Sequence, residues 1–332
     1  MSVTSLDIIG QYAGRIPSLL AEENVLDICV NPDGVMWVNR LGRGFSDEGV
    51  MSPSEAMLLL SGIATEYGCE LNASHPILET TFPLTGDRIE GMISPVVSEA
   101  AFSIRTRSKQ IYTLDDFAQQ GVLSRTADPL NAKCYRAGFL DRVCGDHLSV
   151  IRLANRYRQN MLLVGPAGSG KTTFGNALIA DWFEQTPGDR VVMIEDTPEL
   201  QCALPNYVAL RASRVANEAR LLETALRLIP KRIVVGEVRS SEPARVLLEA
   251  WSTGHSGGLA TIHADDALSG LRKLESFLGS HDGVVRERIA AAIGLVIFID
   301  GDERVPAGRK VRRLLAVRGF DAQRQDYDLS HL

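Results

Sequence analysis

Positive charge is in short supply in this sequence. Its 35 Lys and Arg are outnumbered by 41 Asp and Glu, a formal net charge of -6, so the chain as a whole lacks the basic footprint of a nucleic-acid binder. Direct sequence-specific binding of nucleic acid is not expected. Cys29, Cys69, Cys134, Cys144 and Cys202 include no CxxC pair and are odd in number. That excludes an obvious disulfide framework, suits a reducing compartment, and leaves them as small core residues. No apolar run reaches the ~18 to 20 residues that a bilayer span needs, and MSVTSLDIIGQYAGRIPSLL lacks the basic and apolar regions of a signal peptide. A soluble, cytoplasmic chain with no transmembrane segment is expected. Internal repeats and low-complexity tracts are absent too.

What is present is enough apolar material for more than one core: 332 residues, 45% hydrophobic, imply two domains. VLDICVNPDGVMWVNRLG reads as a hairpin turning at Asn31-Pro32-Asp33-Gly34. SPSEAMLLLSGIATEYG reads as a helix with Ser52 or Ser54 as N-cap. Strand character returns in HPILETTFPLTGDRIEGMISPV and AAFSIRTRS, and TLDDFAQQG reads as a further helix. LSRTADPLNAK has the composition of a connector. The expected organisation is an α+β domain over 1–120, a linker over 121–132, and an α/β domain over 133–332, where helices alternate with all-apolar, parallel-sheet strands.

NMLLVGPAGSGKTTFGNALIADWF carries the most chemistry. Met161 to Val164 form a short apolar strand. Gly165, Pro166, Ala167, Gly168, Ser169, Gly170, Lys171 and Thr172 then fit GxxxxGK[ST], and a helix begins there, with Thr173 the next candidate contact. Glycines let successive backbone N–H groups wrap phosphates at a helix N-terminus, Lys171 reaches the β/γ oxygens, and the Thr172 hydroxyl can ligate Mg2+. The plainer alternative, a glycine-rich turn without a ligand, does not need the lysine and threonine in their places. A nucleoside triphosphate, ATP above others, is the expected ligand.

A phosphate loop alone does not hydrolyse; it needs a metal-side group and a group that orients water. RVVMIEDTPEL ends an apolar strand in Glu195-Asp196, and PKRIVVGEVRS ends another in Gly236-Glu237. Parallel strands share one carboxyl-end crevice, so both acidic ends should face the loop. Many P-loop hydrolases have a magnesium-holding Asp where Gly236 stands, a real departure. His255 and His263 lie in AWSTGHSGGLATIHADD among glycines and hydroxyls. Zinc is the first alternative for them, but the pair lacks a nearby cysteine and compact ligand spacing. A histidine satisfied by backbone groups beside a glycine turn is the other.

In this order, GPAGSGKTT, VVMIEDTPEL, RIVVGEVR and TGHSGGLATIHAD resemble the Walker A, Asp box, Walker B and His box of the hexameric secretion-superfamily traffic ATPases. The Gly-Glu form of Walker B is usual among them. LDICVNPDGVMWVNRLG and FSIRTRS resemble their N-terminal text, and the short N-terminal domain and NPDG hairpin are most similar to those of the TrbB-like conjugal-transfer ATPases of type IV secretion. The resemblance implies a RecA-like P-loop NTPase domain behind a smaller α+β N-terminal domain that acts as a lid on the nucleotide site and a ring contact. It implies a homo-hexamer, peripherally associated with the inner membrane beside other components of the conjugation apparatus, hydrolysing ATP with Mg2+ for pilus assembly or substrate transfer. By the same resemblance Glu237 activates the attacking water, although Glu195 is not excluded as base; Glu195 supports magnesium with Thr172; His263 senses the γ-phosphate. His255 is its partner on a glycine loop that moves with nucleotide state, through Gly254, Gly257 and Gly258. Arg105 and Arg107 reach the nucleotide from the N-terminal domain as arginine fingers, with Arg239 a weaker candidate and Arg88 read as solvated charge. Rival readings are a type II secretion or type IV pilus ATPase, whose assembly forms usually carry a four-cysteine zinc insert absent here, a P-loop small-molecule kinase, a DNA motor, and a nucleotide switch without turnover.

Overall fold

The computed structural model describes residues 4–107, 113–123 and 132–332, apart from the side chains of 132–134. Most of the expected linker and the Cys134 side chain therefore lie outside the described residues. The chain divides into two compact units, 1–94 with 98–134 and 95–97 with 135–332. The division falls at 134/135, so α4 below counts with the first unit.

The N-terminal unit contains α1 (Ser5–Tyr12), α2 (Ile16–Ala21), β1 (Val25–Val30), β2 (Val35–Arg40), β3 (Gly44–Val50), α3 (Pro53–Glu66), β4 (Ile77–Thr81), β5 (Arg88–Met92), β6 (Ala101–Arg105) and α4 (Leu114–Gln119). Its six strands form one antiparallel sheet in the order β3-β2-β1-β6-β5-β4. The hairpin between β1 and β2 turns where Asn31 to Gly34 stand. Gly34 is left-handed (φ 84°), and a Cβ there would meet the Met51 carbonyl at 2.6 Å. Ser52 starts α3 with a reciprocal capping box to Glu55 and Pro53 at its first turn, satisfying orphan helix N–H groups. Ala56, Leu59, Leu60 and Ile63 of that helix pack with Ile28, Val38, Ile89 and Ile104 of the sheet.

The C-terminal unit holds α5 (Ala132–Leu140) from Tyr135 on, α6 (His147–Arg156), β7 (Met161–Val164), α7 (Lys171–Gln185), β8 (Val191–Glu195), β9 (Tyr207–Arg211), α8 (Glu218–Arg227) and β10 (Arg232–Val235). After these come α9 (Ser241–Ser252), β11 (Leu259–Ile262), α10 (Ala267–Phe277), α11 (Gly283–Ala292), β12 (Leu295–Gly301), β13 (Arg309–Asp321) and β14 (Asp326–His331). Its sheet runs β14-β13-β12-β7-β11-β10-β8-β9. Strands β12, β7, β11, β10, β8 and β9 are parallel, and β13 and β14 are added antiparallel. Every residue of β7, β8, β10 and β11 is buried, the continuous apolar signature of strands covered on both faces. Because these four run in one direction, the residues just past Val164, Glu195, Val235 and Ile262 emerge at one end of the sheet. Residues 95–97 count with this unit, where the Arg211 N–H donates to the Val96 carbonyl at 2.7 Å.

Candidate functional site

The loop between β7 and α7 is shaped by its glycines. Gly168 and Gly170 have φ of 73° and 88°, a backbone that L side chains adopt with strain. A Cβ on Gly165 would run into the Ile299 carbonyl and the Ser169 hydroxyl. Ser169 Oγ itself is buried without a hydrogen-bond partner. Lys171, the first residue of α7, turns back under the loop. Its ammonium donates to the Gly165 carbonyl (2.9 Å), the Pro166 carbonyl (2.8 Å) and His263 Nδ1 (3.1 Å). Burial pushes the Lys171 pKa down, the negative charge of Glu237 opposes that, and Lys273 adds to the depression.

The tautomer of His263 follows from its neighbours. A lysine ammonium has donors only, so Nδ1 accepts and the proton of a neutral ring sits on Nε2, which lies 3.2 Å from Glu237 Oε1. Glu237 Oε2 accepts from Arg239 at 2.9 Å, and the other Arg239 amine pairs with Asp196. Backbone bonds fix the segment: the Thr261 hydroxyl donates to the Gly236 carbonyl (2.6 Å), and the Val238 N–H donates to the Thr261 carbonyl (2.9 Å). A line of polar groups thus runs Lys171, His263, Glu237, Arg239, Asp196 across the carboxyl ends of β7, β11, β10 and β8.

Glu195 ends β8 with 8% of its surface exposed. Its Oε1 accepts from the N–H groups of Glu199 (3.2 Å) and Leu200 (3.1 Å). Burial pushes its pKa up, with Glu199 and Asp196 adding to the rise and the two amides opposing it. The turn it holds carries Glu199, whose Oε2 accepts from the Thr172 hydroxyl at 3.0 Å. Gly236 also finds its reason here: a Cβ on it would stand 2.8 Å from Glu195 Cγ. An aspartate at 236 has no room beside Glu195, and the carboxylate facing Thr172 comes from Glu199.

These groups line a cavity of about 540 Å³ formed by the loop from Ala167 to Thr173, Glu195, Asp196, Glu199, Glu237, Arg239, Thr261, His263 and Arg309. Its size is that of a small-molecule site. The structure therefore brings Lys171, Thr172, Thr173, Glu195, Glu237 and His263 together, with Gly165, Pro166 and Ser169 in the wall beneath. Arg105 and Arg107 are in the N-terminal unit. Arg105 Nε is paired with Asp27 at 2.9 Å, and Arg107 donates to the Thr85 carbonyl at 2.7 Å and from its N–H to Asp87 at 2.8 Å.

His255 is a correction. It precedes β11, at the amino end of the sheet, with Nδ1 3.2 Å from the Pro230 carbonyl and its N–H on the Ala250 carbonyl at 3.3 Å. Four residues of strand, roughly 13 Å, separate that end from His263, so the two cannot share a ligand; among the described residues there is no group of three or more His, Cys, Asp or Glu fit for a metal. Two of the glycines around His255, Gly257 and Gly258, sit against close neighbours, whereas a Cβ on Gly254 (φ 117°) would meet nothing within 4 Å. Gly257 is left-handed (φ 87°) with the Arg232 guanidinium 2.6 Å from where a Cβ would be, and Gly258 lies against the Ile233 carbonyl and the Trp251 indole. Sequence reasoning missed Glu199, Thr261 and Arg309. For Glu199 a signal existed, a second glutamate four residues after Glu195 in EDTPE; for Arg309, which lies over Gly170, there was none.

The family model for type II/IV secretion system proteins matches residues 93–300. A probable conjugal transfer protein TrbB of Sinorhizobium fredii is 37% identical over 94% of this chain and 89% of its own length. The conjugal transfer protein TrbB of Rhizobium radiobacter is 38% identical over 91% and 86%. The crystal structure of the VirB11 ATPase from the Brucella suis type IV secretion system, in complex with sulphate, matches with a TM-score of 0.81 at 23% identity, covering 94% of this chain and 96% of that one. That likeness speaks for the fold. By sequence and by fold, the chain belongs to the type II/IV secretion system protein family, in the company of its TrbB conjugal-transfer members.

Proposed function

We propose that this protein is the ATPase of a conjugative type IV secretion system, with a RecA-like C-terminal unit that hydrolyses ATP at the cavity over the 165–172 loop. The observation that carries the reading is the juxtaposition of Lys171, His263 and Glu237 at 3.1 and 3.2 Å, directly at a glycine loop opening a helix. In this reading the loop N–H groups and the α7 N-terminus take the phosphates, and Lys171 leaves the Gly165 and Pro166 carbonyls for the β/γ oxygens. His263, released from Lys171, responds to the γ-phosphate. Glu237, held by its two neighbours, orients the attacking water and accepts its proton.

A hard, oxygen-preferring ion suits the Thr172 hydroxyl and the carboxylates of Glu199 and Glu195, and the protein needs to supply only one or two such ligands when a triphosphate supplies others. Magnesium there would neutralise charge on the β and γ oxygens. Arg105 and Arg107 would bring positive charge from the N-terminal unit to the same phosphates, and the working assembly would be a hexameric ring. No helix of the described residues is long and apolar enough to cross a membrane, so attachment at the cytoplasmic face of the inner membrane would go through protein partners or a peripheral contact. The relatives named for conjugal transfer support the choice of system over a pilus motor.

Absolute mass by light scattering, with phosphate release assayed on the same fractions, tests this. A particle of six chains with basal, magnesium-dependent ATPase activity is expected. A monomer or dimer that releases phosphate only when a small acceptor is added would replace the motor with a kinase.

A further inference from the structure

Arg239 follows Glu237 by two residues and has the exposure of a surface arginine, 51% of its side chain. An arginine finger offers its fork to a phosphate; this fork is already occupied. One amine is 2.9 Å from Glu237 Oε2 and the other pairs with Asp196 Oδ2. Asp196 is anchored in turn, since its Oδ1 accepts from the Thr197 N–H at 2.7 Å. Glu237 is therefore gripped at both oxygens, Oε2 by Arg239 and Oε1 by His263, on a backbone that Thr261 pins on either side. A carboxylate on an unpinned stem would sample several rotamers. A guanidinium that bridges the carboxylates of two strand ends, one amine on each, narrows that choice, with His263 on the other Glu237 oxygen.

We propose that Arg239 is a positioning residue, working with Asp196 to hold the Glu237 carboxylate in the orientation that water activation requires, and that it makes no contact with nucleotide. This rests on the reading of Glu237 as the water-activating group. A group acting through Glu237 should change turnover without changing ATP binding, and should matter no further once Glu237 is disabled.

The test uses the full chain, phosphate release, and equilibrium binding of a fluorescent ATP analogue. Arg239→Gln should lower kcat on the order of 10- to 100-fold with KM within about twofold. Arg239→Lys, which can keep one of the two contacts, should recover part of the loss, and Asp196→Asn should reproduce a smaller part of it. In a Glu237→Gln background, adding Arg239→Gln should change neither the residual turnover nor analogue affinity. An affinity loss of about tenfold or more in that double variant would make Arg239 a nucleotide contact and overturn the proposal, as would an unchanged kcat in Arg239→Gln. If Glu237→Gln alone turns over like the wild type, the underlying reading fails and this proposal with it. If Glu237→Gln is inactive and Arg239→Gln is not, only this proposal fails.

Discussion

At the amino end of the eight-stranded sheet, Arg232 is fully buried: its Nε is 2.8 Å from Asp189, it donates to the Gly257 carbonyl at 2.7 Å, and its guanidinium lies 4.6 Å from the centre of the Trp182 ring. Arg158 meets the other Asp189 oxygen at 2.5 Å. Burial alone would push the Asp189 carboxyl up, but the two arginine charges outweigh it and hold it below the usual carboxylate range. At the carboxyl end Arg239 also bridges acids, but it is half exposed, and Glu237 and Asp196 line an open cavity with Lys171. The chemistry is alike and the setting is not. A largely buried network has little freedom to exchange partners, which suits an anchor for strand starts. A network open to a cavity can exchange partners, and Lys171 and His263 have partners that a triphosphate could replace.

Substitutions at the two ends of the sheet separate these settings. Glu237→Gln should cut phosphate release on the order of 10²- to 10⁴-fold while the variant still binds a fluorescent ATP analogue; turnover equal to the wild type would remove Glu237 from the chemistry. Arg232→Ala should strip Asp189 of its buried partner and lower unfolding stability by about 3–5 kcal/mol, measured by denaturant titration. A loss below about 0.5 kcal/mol, the range of ordinary surface changes, would mean the amino-end network is no anchor.

The two histidines sharpen the same contrast. His263→Ala should slow turnover on the order of tenfold with unfolding stability nearly unchanged. His255→Ala should leave turnover and analogue affinity within about twofold of the wild type, as for a residue away from the site. A reversed pair of results would return His255 to the nucleotide and contradict its position before β11.

How far the sequence foretold this depended on contiguity. The phosphate loop was legible because strand, glycines, lysine and helix start follow one another in eleven residues' span, and each strand-end acid announced itself after an all-apolar run. His255 was misread for the complementary reason: residues eight apart in the chain suggest proximity, but an intervening strand carries them to opposite ends of a sheet. Glu199 reaches Thr172 only because Glu195 bends the turn between them, and Arg309 reaches the loop from the β12–β13 hairpin. Contacts made by folding back across a sheet leave no local pattern. Gly236 is similar, its missing side chain dictated by a neighbour on another strand. In the N-terminal unit the N-cap serine of α3 and the turn at Asn31 to Gly34 were local signals; of the two serines offered, the structure makes Ser52 the cap, and the turn joins β1 and β2.

In the proposed reading the carboxyl-end cavity binds and hydrolyses ATP through Lys171. The most direct test is to measure analogue binding and phosphate release side by side for the wild type and Lys171→Ala, with circular dichroism confirming that both are folded. Saturable binding and steady release are expected for the wild type and neither for the variant; a folded Lys171→Ala that binds and hydrolyses as the wild type does would contradict this reading.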